Sequence, residues 1–480
     1  MKFNNTFYEN EELAYEDVFL FQNYFQGKSR LEIDVTPSIA FGTHIPIVSA
    51  NMNAISGRRM AETLSRYGGL AVLPQDMDLD TLKRIISSVK AANVQYDSPI
   101  TVKASNTIRD ALGIITKRAH NCVILIDEQG KAISLFKPQD LQKLDQFTLL
   151  GNIIKEKLIT GNIGISDEEA FTLMDQEGIS SLPIVDDHGI LKGILTKKNT
   201  IRNSIYSPSL DSNGKLDLAV AIGVNSFDEK ITALYALGIR TFVFDTAHGY
   251  QKSMIDMIKK FRQQFGTDAT VIAGNVITAE ATRALIEAGA NGVKVGIGPG
   301  AMCTTRMKTG VGRPQFTAVY KCSQEAKKLG GFVWADGGVK SPRDMILALA
   351  AGANHVMIGT LFSGVFESVG DIRYDEHGLM YKENYGMASK KAVGQRNLQL
   401  SKFEQMRKQM FREGISTSRI YIKPGMESVG DIVDEFVAGL RSAMTYVGAN
   451  NLVEFSDKAI VGVQTMAGFT EGTPHGKLKK

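Results

Sequence analysis

The chain has 480 residues, with 55 Lys and Arg against 51 Asp and Glu for a formal net charge of +4. That length exceeds one ordinary compact domain but fits a large barrel carrying an insert. The near balance of charge argues against a general nucleic-acid or membrane surface, and the slight basic surplus suits an anionic small ligand. The three cysteines, Cys122, Cys303 and Cys322, show neither CxxC pairing nor zinc-type spacing, which points to a reducing compartment. The N-terminal stretch "MKFNNTFYENEELAYEDVFL" is acidic and has no apolar signal core. No run approaches the roughly 18 apolar residues of a membrane span, so a cytoplasmic protein is expected.

Short apolar runs ending in small or polar residues recur along the chain. The first two are "IPIVSA" from Ile45 and "GLAVLP" from Gly69. The regular alternation then breaks, and from about Pro99 to Ser204 the chain repeats itself. Pro99 aligns with Leu158 and Gly130 with Gly189, an offset of 59 residues in both cases. Each copy reads strand, helix, strand, Asp-x-x-Gly turn, strand, helix. The repeat resembles a tandem pair of CBS modules, which in other proteins often bind adenine nucleotides; an inserted spacer without a ligand is the other reading.

The runs resume with "LAVAIG" from Leu218, "TFVFDT" from Thr241, "TVIAGN" from Thr270, "GVKVGI" from Gly292, "FVWADGG" from Phe332 and "HVMIGT" from His355. Most are separated by amphipathic helical patterns such as "SMIDMIKKFRQQFG" and "AEATRALIEAGA". Runs apolar on both faces, alternating with helices, indicate a parallel sheet covered by helices, and a count of eight predicts a (β/α)8 TIM barrel. No GxGxxG follows an early strand, which disfavours a Rossmann sheet. The expected organisation is a first barrel part at 1–95, the tandem CBS insert at 96–205, and the rest of the barrel with catalytic loop, flap and C-terminal segment at 206–480.

"GPGAMCTTRMKTGVG", from Gly298 to Gly312, follows the sixth run and therefore falls on the face where such barrels carry their active sites. Its glycines let backbone groups approach a ligand or ion, and a thiolate at Cys303 could attack an electrophilic carbon. Cys122 and Cys322 lie in apolar helix and strand patterns and read as core residues.

The stretch "GIGPGAMCTTRMKTGVGRPQ" resembles the catalytic loop of the IMP dehydrogenase and GMP reductase family, and the resemblance spans essentially the whole chain. It implies that Cys303 is the nucleophile toward C2 of a purine nucleotide, with Thr305 a proton-transfer partner. The carbonyls of Gly298, Gly300 and Cys303 resemble the family's monovalent-cation site, with potassium as the occupant. By the same resemblance Asp336 binds the ribose hydroxyls, Gly338, Gly359 and Thr360 the phosphate, and Ala50 and Met52 the substrate. Tyr385 is assigned to the phosphate and Gly386, Met387 and Ala388 to the purine edge. Asp245, Thr246, Ala247, Asn275, Gly296 and Gly298 are assigned to the nicotinamide cofactor, NADPH with NADH as the alternative.

Within the family, "SANM", "DTAHGY", "YGMAS" and "AMTYVGA" resemble the reductase branch, which converts GMP to IMP and ammonia. The dehydrogenase branch, which oxidises IMP to XMP with NAD, is the alternative. Its flap carries an Arg-Tyr pair, whereas the best local match here is Arg396 followed by Asn397. Glu413 in "REGIS" resembles the reductase glutamate that relays a proton through Thr305. CBS pairs are commoner among dehydrogenases, but a smaller group of CBS-containing reductases exists, and the chain resembles that group most. The flap is expected between about Phe362 and Arg441. The resemblance also implies a homotetramer, or an octamer when CBS modules pair, with ATP or GTP as regulatory ligands.

Overall fold

Each of the eight apolar runs forms a strand buried on both faces, which a sheet achieves in water by closing on itself inside a layer of helices. In the computed structural model the strands are β1 (Ile47–Ser49), β2 (Leu70–Leu73), β3 (Ala219–Ile222), β4 (Thr241–Asp245), β5 (Thr270–Val276), β6 (Gly292–Val295), β7 (Phe332–Asp336) and β8 (His355–Ile358). They pair in parallel in that order, and β8 returns to β1 to close the barrel. The structure describes residues 1–27, 29–39, 41–153, 158–224, 228–384, 401–409 and 418–474.

The covering helices form where the sequence shows an apolar stripe. Lys252–Phe265 buries Met254, Met257, Ile258 and Phe261 against the sheet. The N-terminal end of the barrel is plugged. Phe41 lies 4.9 Å from the His355 ring and 5.9 Å from Trp334, and Thr43 Oγ1 sits 2.8 Å from His355 Nε2. Burial pushes His355 down to about 3, so its imidazole is neutral in this plug. Ligands therefore reach the barrel from the opposite end.

The repeated segment between β2 and β3 forms two three-stranded sheets. One holds Thr101–Lys103, Val123–Ile126 and Ala132–Phe136; the other holds Gly161–Asn162, Ser181–Val185 and Leu191–Thr196. Both have one parallel and one antiparallel pairing, and Cys122, Ile124 and Ile194 pack between the copies. The segment is seated on the barrel by buried charge. Arg66 Nη1 and Arg118 Nη1 lie 2.9 and 3.0 Å from Asp97 Oδ1, and Arg118 also pairs with Glu62 on the barrel helix Arg58–Arg66. A second anchor joins Arg202 to Asp431 at 2.6 Å and to Asp434 at 2.8 Å.

The flap is shorter than the sequence reading, because Val429–Val447 is a barrel helix. Its stripe of Ile432, Val433, Phe436, Val437, Leu440 and Met444 is buried, and it packs against helices Pro342–Ala350 and Arg58–Arg66. Between β8 and this helix, Arg373–Tyr374, Met380–Asn384 and Ser418–Tyr421 form a small antiparallel sheet. Among the described residues no helix is long and apolar enough to cross a membrane.

Burial opposes ionisation of Glu62 and Asp97, but the Arg118 and Arg66 guanidinium groups outweigh it and hold both below the usual carboxylate range. The cluster's contribution is therefore present above that range and is lost as pH falls through it. Glu62→Gln is expected to cost about 3 kcal/mol and lower the thermal midpoint, since it leaves buried guanidinium groups under-paired. Lys103→Ala, which breaks only the exposed Lys103–Glu128 pair, should leave the midpoint unchanged. Thermal unfolding of the two variants side by side checks both.

Candidate active site

Strand register places a cation inside the mouth of the barrel. Asp245 pairs with Gly274 and Gly274 with Lys294, so β4, β5 and β6 bring the three to one level. Lys294 Nζ lies 2.8 Å from Asp245 Oδ1 and 2.7 Å from Asp336 Oδ2 at the end of β7. Burial by itself would lower the Lys294 ammonium's pKa, but the two carboxylates outweigh it and hold it above its ordinary value. Lys294 is thus charged throughout the neutral range. Asn51 Nδ2 donates to Asp245 Oδ2 at 2.8 Å, and Asn275 Nδ2 donates to Asp336 Oδ2 at 2.9 Å and to the Gly296 carbonyl at 2.6 Å. Neither Lys294 nor Asn51 is among the sequence-derived candidates. The available signal was a lone lysine in the apolar run "GVKVGI", where an unpaired charge could not remain buried.

Cys303 stands on the loop after β6 and is exposed, whereas Cys122 and Cys322 are fully buried, as their sequence context suggested. Burial pushes both of those thiols up to about 12. The Cys303 thiol donates to Thr305 Oγ1 at 3.2 Å, and the Cys303 N–H donates to the Gly300 carbonyl at 3.0 Å. The loop's Pro299 packs against Gly338, and Pro299 and Gly300 against Gly337, which sets the start of the cysteine loop against the end of β7. Met302 is buried and accepts from Ser418 Oγ at 3.5 Å, tying the small antiparallel sheet to the cysteine loop.

Most other candidates gather at the same end. Gly359, just past β8, faces the Ala50 and Met52 side chains just past β1, with Thr360 next in the chain. Thr246 and Asn275 are joined by a backbone hydrogen bond, the Asn275 N–H donating to the Thr246 carbonyl at 2.8 Å, and Ala247 is exposed beside them. Tyr385, Gly386, Met387, Ala388, Arg396, Asn397 and Glu413 lie outside the described residues.

Two features fit the groups that the sequence implies. Asn275 Oδ1 is buried without a hydrogen-bond partner among the described residues, which leaves an acceptor for an amide such as that of nicotinamide. The carbonyls of Gly298 and Cys303 accept no backbone hydrogen bond among the described residues, while that of Gly300 accepts one, from Cys303, and such hard oxygen ligands suit a monovalent cation.

A closed parallel barrel with a thiol, paired carboxylates and a buried lysine at its C-terminal mouth belongs to the class of barrel enzymes. Residues 12–475 match the model of the IMP dehydrogenase / GMP reductase domain, and the chain belongs to that family. It is 44% identical over 464 residues to a GMP reductase of Mycobacterium tuberculosis, covering 96% of both chains. It is 35% identical over 475 residues to an inosine-5'-monophosphate dehydrogenase of Halalkalibacterium halodurans, covering 98% of this chain and 96% of that one. Among solved structures it is similar to an alanine-for-cysteine variant of GMP reductase from Trypanosoma brucei in complex with guanosine 5'-monophosphate. That likeness has a TM-score of 0.69 and 30% identity, and covers 99% of this chain and 100% of that one. The protein is an oxidoreductase, and enzymes of its family use nicotinamide cofactors.

Native protein treated with iodoacetamide at neutral pH should take up one label, located on Cys303 by peptide mass spectrometry, because the other two thiols are sealed and protonated. Lys294→Met should lower kcat/KM by about 100-fold in a nicotinamide-linked assay, equivalent to about 2.7 kcal/mol, since it leaves Asp245 and Asp336 facing each other without a counter-charge. A folded variant with undiminished kcat/KM would count against this role for the lysine.

Proposed function

We propose that the chain is a GMP reductase, which catalyses the NADPH-dependent reductive deamination of GMP to IMP and ammonia in purine nucleotide salvage. The observation that supports this most is the Cys303–Thr305 pair, with Sγ 3.2 Å from Oγ1 on an exposed loop at the barrel mouth. The higher identity to a named GMP reductase than to named dehydrogenases favours the same branch.

In this reading Asp336 takes the ribose hydroxyls, and Gly338, Gly359 and Thr360 take the phosphate, at the corner where barrels commonly bind phosphate. Tyr385 also takes the phosphate, Gly386, Met387 and Ala388 take the purine edge, and Ala50 and Met52 contact the substrate. The Cys303 thiolate adds to C2 of GMP and forms a C–S bond. Thr305, supplied by Glu413, passes a proton to the departing 2-amino group, which leaves as ammonia and yields a thioimidate. NADPH, when bound beside Asp245, Thr246, Ala247, Asn275, Gly296 and Gly298, supplies the hydride that C2 accepts. The C–S bond then breaks, the electron pair returns to Cys303, and IMP departs. In sum GMP, NADPH and a proton give IMP, ammonia and NADP.

The segment at 96–205 is read as a tandem CBS module that takes ATP or GTP as regulator, and the Gly298, Gly300 and Cys303 carbonyls as a potassium site. The working form is a cytoplasmic homotetramer, with an octamer when CBS modules pair.

Purified full-length protein, incubated separately with GMP plus NADPH and with IMP plus NAD, should oxidise the cofactor in the first mixture and leave it unchanged in the second. Nicotinamide reduction with IMP, and no oxidation with GMP, would assign the chain to the dehydrogenase branch instead. Cys303→Ala should abolish turnover while GMP affinity by calorimetry stays within about threefold, because phosphate and ribose contacts carry most of the binding.

A further inference from the structure

The cysteine loop is long and little of it is buried. From Ala301 to Val311 only Met302 is buried, and the single helical turn Thr305–Thr309 is far too short to hold itself. Its internal hydrogen bonds are local, such as the Lys308 N–H donating to the Thr304 carbonyl and the Gly310 N–H to the Arg306 carbonyl, both at 3.0 Å. Thr309 Oγ1 donates to the Thr305 carbonyl at 2.8 Å and the Val311 N–H to Thr309 Oγ1 at 3.0 Å.

At the loop's entry, a Cβ added to Gly298 would collide with Arg306 Cγ and Cδ; at its exit, one added to Gly312 would collide with the same two atoms. The methylenes of Arg306 therefore lie in a slot between two backbone segments fourteen positions apart in the chain. Both glycines hold positive φ, 88° and 153°, in regions side chains rarely adopt, and Gly312 also runs close to the Ile297 carbonyl. The residue as a whole is exposed, so its stem is packed while its guanidinium group faces solvent. Thr305 is its immediate neighbour in the chain.

We propose that Arg306 is a positioning residue that clamps the catalytic loop through its aliphatic stem, holding Thr305 at proton-transfer distance from Cys303. The charge is not what the clamp uses. The consequence for turnover rests on the reaction proposed above, but the clamp itself does not.

Three variants separate stem from charge: Arg306→Ala removes both, while Arg306→Met and Arg306→Lys keep methylenes in the slot. Backbone amide exchange of the peptide covering 298–312, followed by mass spectrometry on the full-length protein, reads the clamp without any assay of activity. Exchange should rise about tenfold in Arg306→Ala and in Gly312→Ala, and stay at the wild-type rate in the Met and Lys variants. With GMP and NADPH, Arg306→Ala should lose about 100-fold in kcat with KM for GMP within about threefold, as a misplaced catalytic group does. Arg306→Met should restore kcat to within about threefold of wild type. Equal damage in the Met and Ala variants would overturn the clamp in favour of a role for the charge; wild-type exchange in Arg306→Ala would overturn it outright. Failure of the GMP reaction in the wild type, with the exchange pattern as expected, would overturn the reading of function and leave the clamp standing.

Discussion

Lys294 places an ammonium within the barrel, a position that is tolerable only because two carboxylates and their hydrogen-bond partners meet it there. The geometry of the mouth follows from satisfying that one charge. Asp245 comes from the end of β4 and Asp336 from the end of β7, on opposite sides of β6, so the lysine ties together strands that share no hydrogen bonds. Asn51 and Asn275 complete the set, and each adds an element of its own, the turn after β1 and strand β5. The residues assigned to ribose and to nicotinamide are thus two ends of one ionic arrangement. They cannot move independently, so the mouth of the barrel is pre-organised.

Around this rigid centre the cysteine loop is a lighter structure. It leans on Gly337 and Gly338 at one point, on Met302 at another, and on the stem of Arg306 threaded between its entry and exit. In the reaction proposed above Cys303 bonds to a substrate carbon and then releases it, which suits a loop that is located but not embedded. The contrast with Cys122 and Cys322 is physical: the same side chain, sealed in apolar packing, keeps its proton and does no chemistry.

Buried charge seats the insert between β2 and β3 on the barrel. Glu62, Arg66, Asp97 and Arg118 form one buried group at its first root, and Arg202 with Asp431 and Asp434 forms another at its second. Ionic contacts have strict geometry, so the seat is specific without requiring a large hydrophobic face. The same helix that carries Glu62 follows β1, whose end supplies Ala50 and Met52 to the mouth. A rigid element therefore runs from the seat of the insert to the site.

The barrel was legible in the sequence because its signal is local. A strand buried on both faces must be a short apolar run, and each of the eight runs became a barrel strand. The 59-residue repeat was legible for the same reason, since each copy carries its own strand and turn pattern. The family, too, could be read from one contiguous loop around Cys303. What the sequence could not reveal was any pairing made across the barrel. Lys294 looked like an interruption in an apolar run until β4 and β7 brought Asp245 and Asp336 to it. Arg306 looked like a surface arginine until Gly298 and Gly312 came together around its stem. The helix Val429–Val447 was read as flap as far as about Arg441, because only its packing against its neighbours shows that it belongs to the barrel. Periodicity along the chain determines which segments are strands and helices; which distant side chains meet depends on register and closure, and those exist only once the chain has folded.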